Sequence, residues 1–169
     1  MFTPGLRLAI LSACLIWSAF DLLTGRPTWF LPLLGAAFLA VGHFRSVTVP
    51  LAFRAARKGD LQKAQHLLSK TKRPDQLSGQ SRAYLEWTRG MIAVGGGDFT
   101  LARQALDRAI DGKLRTSNDR CLVLASLAGV CSELGEHQDA RAHMAAARSL
   151  PRKPEAEAFL EEVLASMDI

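Results

Sequence analysis

Cysteine is scarce in this sequence, and its three copies do not make the paired framework of a disulfide-rich secreted protein. The count is odd, and Cys14 lies within an apolar run. Cys121 and Cys131 are ten residues apart in a segment with a helical pattern, which separates them too far for a disulfide bond. We therefore interpret Cys121 and Cys131 as small buried apolar side chains.

The sequence also lacks motifs that would support catalysis or cofactor binding. No Cys/His group has the spacing of a zinc site, and we find no acid/base pair or nucleophile triad. The run Gly95-Gly96-Gly97 has neither the preceding strand nor the following Lys-Ser/Thr of a phosphate-binding loop. The four histidines are interpreted as surface or packing residues. The sequence therefore predicts no enzyme, no cofactor and no metal site.

Charge is rare in the first 44 residues, and the rest of the chain is rich in it. The only charged side chains in this N-terminal part are Arg7, Asp21 and Arg26. Two apolar runs, 8–23 and 29–41, are separated by a segment at 24–28 whose composition is typical of a turn. The chain thus joins two different kinds of sequence near residue 45.

The two apolar runs predict a transmembrane helical hairpin in contact with membrane lipid, with spans at about 6–23 and 29–44. A hairpin of helices satisfies every backbone group internally, as a bilayer requires. Each run is nevertheless shorter than the ~20 residues that a bilayer core needs. Three alternatives remain open: a lipoprotein signal ending at Cys14, a cleaved secretory signal, and a hairpin buried in a soluble fold.

Basic residues predict the orientation of this hairpin. The turn contains Arg26 alone, whereas a membrane-surface basic cluster follows the second run and consists of Arg45, Arg54, Arg57, Lys58 and Lys63. The positive-inside rule then predicts a multi-pass protein of the inner membrane with both termini in the cytoplasm. We expect the cluster to attract anionic headgroups. We expect no nucleic acid, because the predicted position of the cluster is against the membrane.

Three segments in the remaining chain align without gaps, and they begin at Gly59, Gly97 and Gly135, at intervals of 38 residues. Each segment contains glycine, an acid, three variable residues, alanine, three variable residues and a large apolar residue. Glycine is suited to end one helix, and the acid to cap the next. The alanine allows close approach of antiparallel helices. The alanines are Ala64, Ala102 and Ala140.

This pattern resembles the tetratricopeptide repeat (TPR) family, whose helix-turn-helix unit has about 34 residues. An early small residue of the family's first helix is matched by Ala52, Gly90 and Ala128, and a later one by Ala109 and Ala147. The first repeat has Thr71 at that later position, and the 38-residue period is longer than the family's. The resemblance covers about 46–150 and implies repeats at about 46–75, 80–113 and 117–150.

We therefore predict an all-α protein, with a TPR-like domain at 45–169 that follows the hairpin at 1–44. No segment of 45–169 has a strand pattern. A capping helix at 154–167 is predicted to complete the stack, because Pro154 suits the first position of a helix. The other predicted helices span about 47–58, 61–70, 80–95, 99–111, 118–134 and 137–148.

The resemblance also implies a binding face, because the first helix of each TPR repeat lines the concave side of the stack. Position by position, the candidates for partner binding are Phe53, Arg57, Tyr84, Trp87, Met91, Leu122 and Ser132. The stripe of Tyr84, Trp87 and Met91 has the spacing of either a core face or an exposed anchor, and the sequence leaves both readings open. Only Arg57 fits the family's clamp for C-terminal carboxylates, so we do not predict that ligand.

The functional expectation is a membrane-anchored scaffold, a protein–protein interaction module that recruits an unknown protein partner at the cytoplasmic face of the membrane. The alternative is a membrane-surface structural or self-associating protein with no soluble client, and a homo-oligomer fits either reading. Exposure of the Tyr84, Trp87 and Met91 stripe would favour the scaffold, and its burial would favour the structural role.

Overall fold

The described part of the chain is helical throughout. A computed structural model describes residues 12–13, 16–20, 23–25, 30, 34, 48–71 and 74–167. The chain divides into two compact units, Met1–Val47 and Thr48–Ile169. Every regular element among the described residues is an α-helix or a 3₁₀ helix, and the predicted all-α class is confirmed.

Seven α-helices follow one another along the described residues of the second unit. They are α1 (48–57), α2 (Leu61–Ser69), α3 (Gly79–Gly95), α4 (Phe99–Asp111), α5 (Ser117–Glu133), α6 (His137–Arg148) and α7 (Pro154–Ser166). A 3₁₀ helix, Pro74–Gln76, lies between α2 and α3 and has no counterpart among the predicted helices. The observed bounds of α2 to α7, and the end of α1, lie within one residue of the predicted ones, because caps and breakers mark most of these ends in the sequence.

The connections α1–α2, α3–α4 and α5–α6 share one backbone hydrogen-bond pattern at intervals of 38 residues. In α3–α4, the N–H of Gly97 donates to the carbonyl of Val94, and the N–H of Asp98 donates to that of Ala93, both at 3.0 Å. The glycines that occupy this turn have φ angles of 81°, 75° and 76°, and they are Gly59, Gly97 and Gly135. Because only glycine adopts this left-handed conformation at little cost, it ends each first helix.

Acidic side chains cap the N-termini of two of the three second helices, α2 and α4. A carboxylate oxygen of Asp60 accepts from the N–H of Lys63 at 3.1 Å, and one of Asp98 accepts from the N–H of Leu101 at 2.9 Å. Glu136 occupies the equivalent position before α6 but makes no such bond. Its longer side chain instead forms an ion pair outside its own helix. The shorter Asp side chain therefore suits this cap better than Glu does.

Small residues let the paired helices lie close together. Ala64, Ala102 and Ala140 have no exposed surface. On α3, a methyl group added to Gly90 would lie 2.7 Å from Cδ2 of Leu106, which belongs to α4. Because that distance is well below van der Waals contact, this approach of α3 and α4 requires the absence of a side chain at residue 90.

The buried side chains lie between the odd-numbered and the even-numbered helices. Trp87, Leu106 and Leu127 form the centre of the cluster around α3, α4 and α5. Cys121 and Cys131 belong to a second cluster, with α6 and α7, where both thiols are free and buried as predicted. Burial raises the pKa of each thiol above its usual value, so both are held in the neutral form.

Among the described residues, no helix combines the length and the apolar composition needed to cross a membrane. The longest described helices, α3 and α5, have 17 residues each, fewer than the ~20 that a bilayer core needs, and both contain charged side chains. The predicted localisation, a multi-pass inner-membrane protein with cytoplasmic termini, is contradicted by this finding. Most of the predicted spans, 6–23 and 29–44, lie outside the described residues.

The described residues of the first unit include helical segments and one turn. The N–H and the hydroxyl of Thr24 both donate to the carbonyl of Phe20, at 3.0 and 2.9 Å. Gly25 follows with a φ of 69°, within the segment where the sequence predicts a turn. The large apolar side chains described here are exposed, and they are Ile16, Trp17, Phe20, Leu23, Phe30 and Leu34.

Candidate ligand-binding groove

A groove of about 1130 Å³ lies between the odd-numbered helices α1, α3, α5 and α7. Three of these are the first helices of the three helix pairs, and the fourth is the C-terminal helix. The volume exceeds the ~300–1000 Å³ typical of small-molecule sites. The groove therefore has room for an extended segment of another macromolecule.

Apolar side chains from all four helices form the floor of this groove. These floor residues are half-buried, and they are Phe53, Tyr84, Met91, Leu122 and Phe159. The ring of Phe53 meets that of Tyr84 edge-on, with centroids 5.1 Å apart, and lies 4.6 Å from that of Trp87. These ring contacts hold α1 against α3.

A hydrogen bond between side chains joins α3 to α5 across the floor. The hydroxyl of Tyr84 donates to Oδ2 of Asp119 at 2.6 Å, and the hydroxyl of Thr116 donates to the same oxygen at 2.8 Å. Burial, together with the bond to the Asp119 carboxylate, raises the pKa of Tyr84 to about 12. Tyr84 is therefore a neutral donor at any physiological pH, and Asp119 is held in place by two hydroxyl groups.

The rim of the groove is basic. Its five cationic side chains are exposed, and they are Arg54, Arg57, Lys58, Arg115 and Lys153. In the part of the chain that the structure describes, none of these five has an ion-pair partner. Among the described residues that line the groove, the acidic ones are Asp119 and Glu155, so the five cations exceed them by three.

The structure brings five of the seven candidate partner-binding residues together in the groove: Phe53, Arg57, Tyr84, Met91 and Leu122. It does not place Trp87 there, because this side chain is 3% exposed and packs in the core behind Phe53. Ser132 is half-buried near the end of α5 and does not line the groove. The predicted stripe therefore divides, with Tyr84 and Met91 on the groove floor and Trp87 in the core. Trp87 is corrected from a contact residue to a core residue.

The predicted basic cluster also divides. Arg54, Arg57 and Lys58 lie on or just after α1 and form one side of the groove rim. Lys63 is exposed on α2 outside the groove. Arg45 lies outside the described residues. Three of the five basic residues thus line the groove, and of these three Arg57 was also a predicted partner-binding candidate.

Sequence reasoning missed the C-terminal side of the groove. Arg115, Asp119, Lys153 and Phe159 line it, and none of them is among the predicted candidates. The sequence does place Phe159 on the apolar side of the capping helix. That helix, α7, packs against α5, and the apolar side of α7 that carries Phe159 was the signal available in the sequence.

Ion pairs outside the groove connect neighbouring helices. Arg103 on α4 pairs with Glu136, and its other nitrogen lies 2.8 Å from Asp139 on α6. Glu86 on α3 is 7% exposed, and Arg89 and Arg108 flank it. The ion pair to Arg108, at 3.2 Å, lacks hydrogen-bond geometry. The ion pairs of Arg103 and Arg108 link α4 to α6 and to α3, and none of these pairs involves a cation of the groove.

The groove offers a ligand apolar surface, guanidinium and ammonium donors, and two carboxylates. Over the residues described, no three His, Cys, Asp or Glu side chains lie close enough together to hold a metal ion. Comparison with known proteins finds no protein-family model, no curated protein and no solved structure that matches this chain.

Proposed function

We propose that the unit Thr48–Ile169 is a TPR-like protein-interaction module that binds a segment of a partner protein in the groove between its odd-numbered helices. The observation that carries this proposal is the groove itself, where apolar side chains remain half-exposed between unpaired cations. Partly exposed apolar surface inside a concave site gains free energy when a ligand covers it.

The recurrence of the helix pairs supports the TPR-like interpretation. The three turns use the same hydrogen bonds at the same spacing, and the small residues at the helix crossings are buried. Stacking such pairs creates one extended face from the first helices, and repeat proteins use faces of this kind for binding. The five candidates that line the groove come from this face.

Selection of a displayed random-peptide library on the full chain tests the proposal. Enriched peptides are then labelled, and their dissociation constants are measured by fluorescence anisotropy. Met91→Gln and Leu122→Gln place a polar amide on the groove floor, whereas Leu101→Gln is the matched control, because Leu101 is an exposed leucine on α4 outside the groove. Circular dichroism and thermal unfolding establish that each variant is folded.

The proposal expects at least one enriched peptide whose affinity falls about tenfold or more in a folded groove variant and stays unchanged in Leu101→Gln. It is wrong if no peptide is enriched, or if binding is insensitive to both groove substitutions. Sedimentation equilibrium of the full chain tests the self-association alternative. A dimer that Met91→Gln dissociates would show that a second copy occupies the groove, and would also overturn the proposal.

A further inference from the structure

The charges of the groove indicate the kind of segment that it binds. We propose that the ligand is an acidic internal segment of the partner protein, in which a large apolar side chain is flanked on both sides by carboxylates. This inference rests on the proposed function, because it specifies the ligand of the same groove.

The positions of the cations support carboxylates at both ends of the segment. Arg54, Arg57 and Lys58 lie at the α1 side, whereas Arg115 precedes α5 and Lys153 precedes α7. The ring contacts place α1 against α3, and the Tyr84–Asp119 bond joins α3 to α5. Because α7 packs on α5, the cations of α1 and Lys153 before α7 stand at the two ends of this order of helices.

The floor between the two cationic groups supports a large apolar side chain in the middle of the segment. Met91 and Leu122 are half-buried there, and neither offers a hydrogen bond from its side chain. The polar floor groups, Tyr84 and Asp119, already bond to each other. A polar side chain placed over Met91 and Leu122 would lose water without gaining a partner from them, whereas an apolar side chain would be stabilised there.

Carboxylates suit this groove better than the phosphates of a nucleic acid do. A single strand needs open aromatic faces on which its bases stack. The ring of Phe53 packs against the rings of Tyr84 and Trp87, and the Tyr84 hydroxyl is bound to Asp119, so both aromatic side chains are already engaged within the protein. Asp119 and Glu155 would also repel a phosphate at every step of a backbone. A peptide can place its few carboxylates at the cations and avoid both acids.

Synthetic peptides of about ten residues, roughly 33 Å long in extended form, test this inference with the full chain. The first peptide carries acids on both sides of a central leucine and ends in an amide. In three relatives, Gln replaces each acid, Lys replaces each acid, or Ser replaces the leucine. Dissociation constants are measured by anisotropy for wild type, for Arg54→Glu/Arg57→Glu, and for Arg141→Glu. Arg141 is the matched control, because it is exposed on α6 outside the groove.

The inference expects the acidic leucine peptide to bind about tenfold or more tightly than each relative, and to weaken as salt is raised. Its affinity should fall by a similar factor in Arg54→Glu/Arg57→Glu and stay unchanged in Arg141→Glu. Replacing the terminal amide of the peptide by a free carboxylate should change the dissociation constant little, because the proposed ligand is an internal segment with no free C-terminus.

Two outcomes would overturn the inference. If the Gln or Lys peptide binds as tightly as the acidic one, the groove does not select its ligand by negative charge. The inference is then wrong, and only the proposed function stands. If a single-stranded oligonucleotide binds in an Arg54/Arg57-dependent way while the acidic peptide does not, the ligand is a phosphate polymer. Failure of every synthetic and every selected peptide would instead refute the proposed function itself.

Discussion

The hydroxyl of Tyr84 and Oδ2 of Asp119 are 2.6 Å apart, in a hydrogen bond that joins the first helices of two successive pairs. The two residues are 35 positions apart in the chain. Because the bond lies on the groove floor, the spacing of α3 and α5 and the shape of the binding surface depend on the same contact. Any loss of this bond should therefore affect both stability and binding.

Alkaline pH should weaken the fold through Tyr84. The folded protein holds the phenolic proton up to a pKa of about 12, whereas the unfolded chain releases it near 10.0. The folded state therefore binds more protons in this range, so its stability falls as pH rises from the lower value to the higher. Below the lower value the contribution is fully present.

Denaturant unfolding at steps through that pH range measures this loss, with Tyr84→Phe as the control. The unfolding free energy of the wild type should fall more steeply with pH than that of Tyr84→Phe. The lysines titrate alike in both proteins, so the difference between the two curves reports Tyr84. Tyr84 is the only tyrosine, so phenolate absorbance reports its ionisation directly. A phenolate that forms in the folded protein near the ordinary pKa would show that the bond to Asp119 is absent.

Two adjacent glycines in the turn between α3 and α4, Gly96 and Gly97, should differ in how well they tolerate substitution by alanine. Gly97→Ala places a side chain at a φ of 75° and should cost about 1–2 kcal/mol of unfolding free energy. Gly96 has a φ of −92°, and an added methyl group would meet only ordinary contacts there. Gly96→Ala should therefore be neutral or slightly stabilising. Equal effects of the two substitutions would contradict this turn geometry.

The crossing of α3 and α4 should not tolerate a methyl group at residue 90. Gly90→Ala brings Cβ to 2.7 Å from Cγ and Cδ2 of Leu106, and we expect a net cost of about 1–3 kcal/mol despite the better helix propensity of alanine. Denaturant unfolding of Gly90→Ala, Leu106→Ala and the double variant measures the coupling. The cost of Gly90→Ala should shrink in the Leu106→Ala background, and an unchanged cost would place the clash elsewhere.

Trp87 should matter for stability in the way a core residue does. Its side chain is 3% exposed, so Trp87→Ala should cost about 3–5 kcal/mol of unfolding free energy. Leu101→Ala, at an exposed leucine, should change stability by less than about 0.5 kcal/mol. Denaturant unfolding of both variants checks this difference. A fully stable Trp87→Ala protein would show that the aromatic cluster of Phe53, Tyr84 and Trp87 is not part of the core.

The helices of the second unit were predictable because their ends carry local signals. Glycines that require positive φ, aspartate caps and Pro154 each act on residues a few positions away, so a single sequence shows them. The predicted membrane localisation was wrong, because no helix among the described residues is long and apolar enough to cross a membrane.

The groove was only partly predictable, because burial depends on contacts between residues far apart in the chain. Spacing alone could not divide Tyr84 from Trp87, because Phe53 contacts both rings and the burial of Trp87 comes from core residues on other helices. Lys153 and Phe159 were missed because they precede or belong to a helix interpreted as a cap. Their role depends on how α7 packs against α5, which no local pattern shows.

Hydrogen–deuterium exchange of the full chain, with and without a peptide selected on it, tests the central claim most directly. The account predicts that bound peptide slows amide exchange in α1, α3, α5 and α7, which form the groove, and leaves α2, α4 and α6 unchanged. Protection confined to the even-numbered helices, or spread equally over both sets, would contradict the claim that the groove between the odd-numbered helices is the binding site.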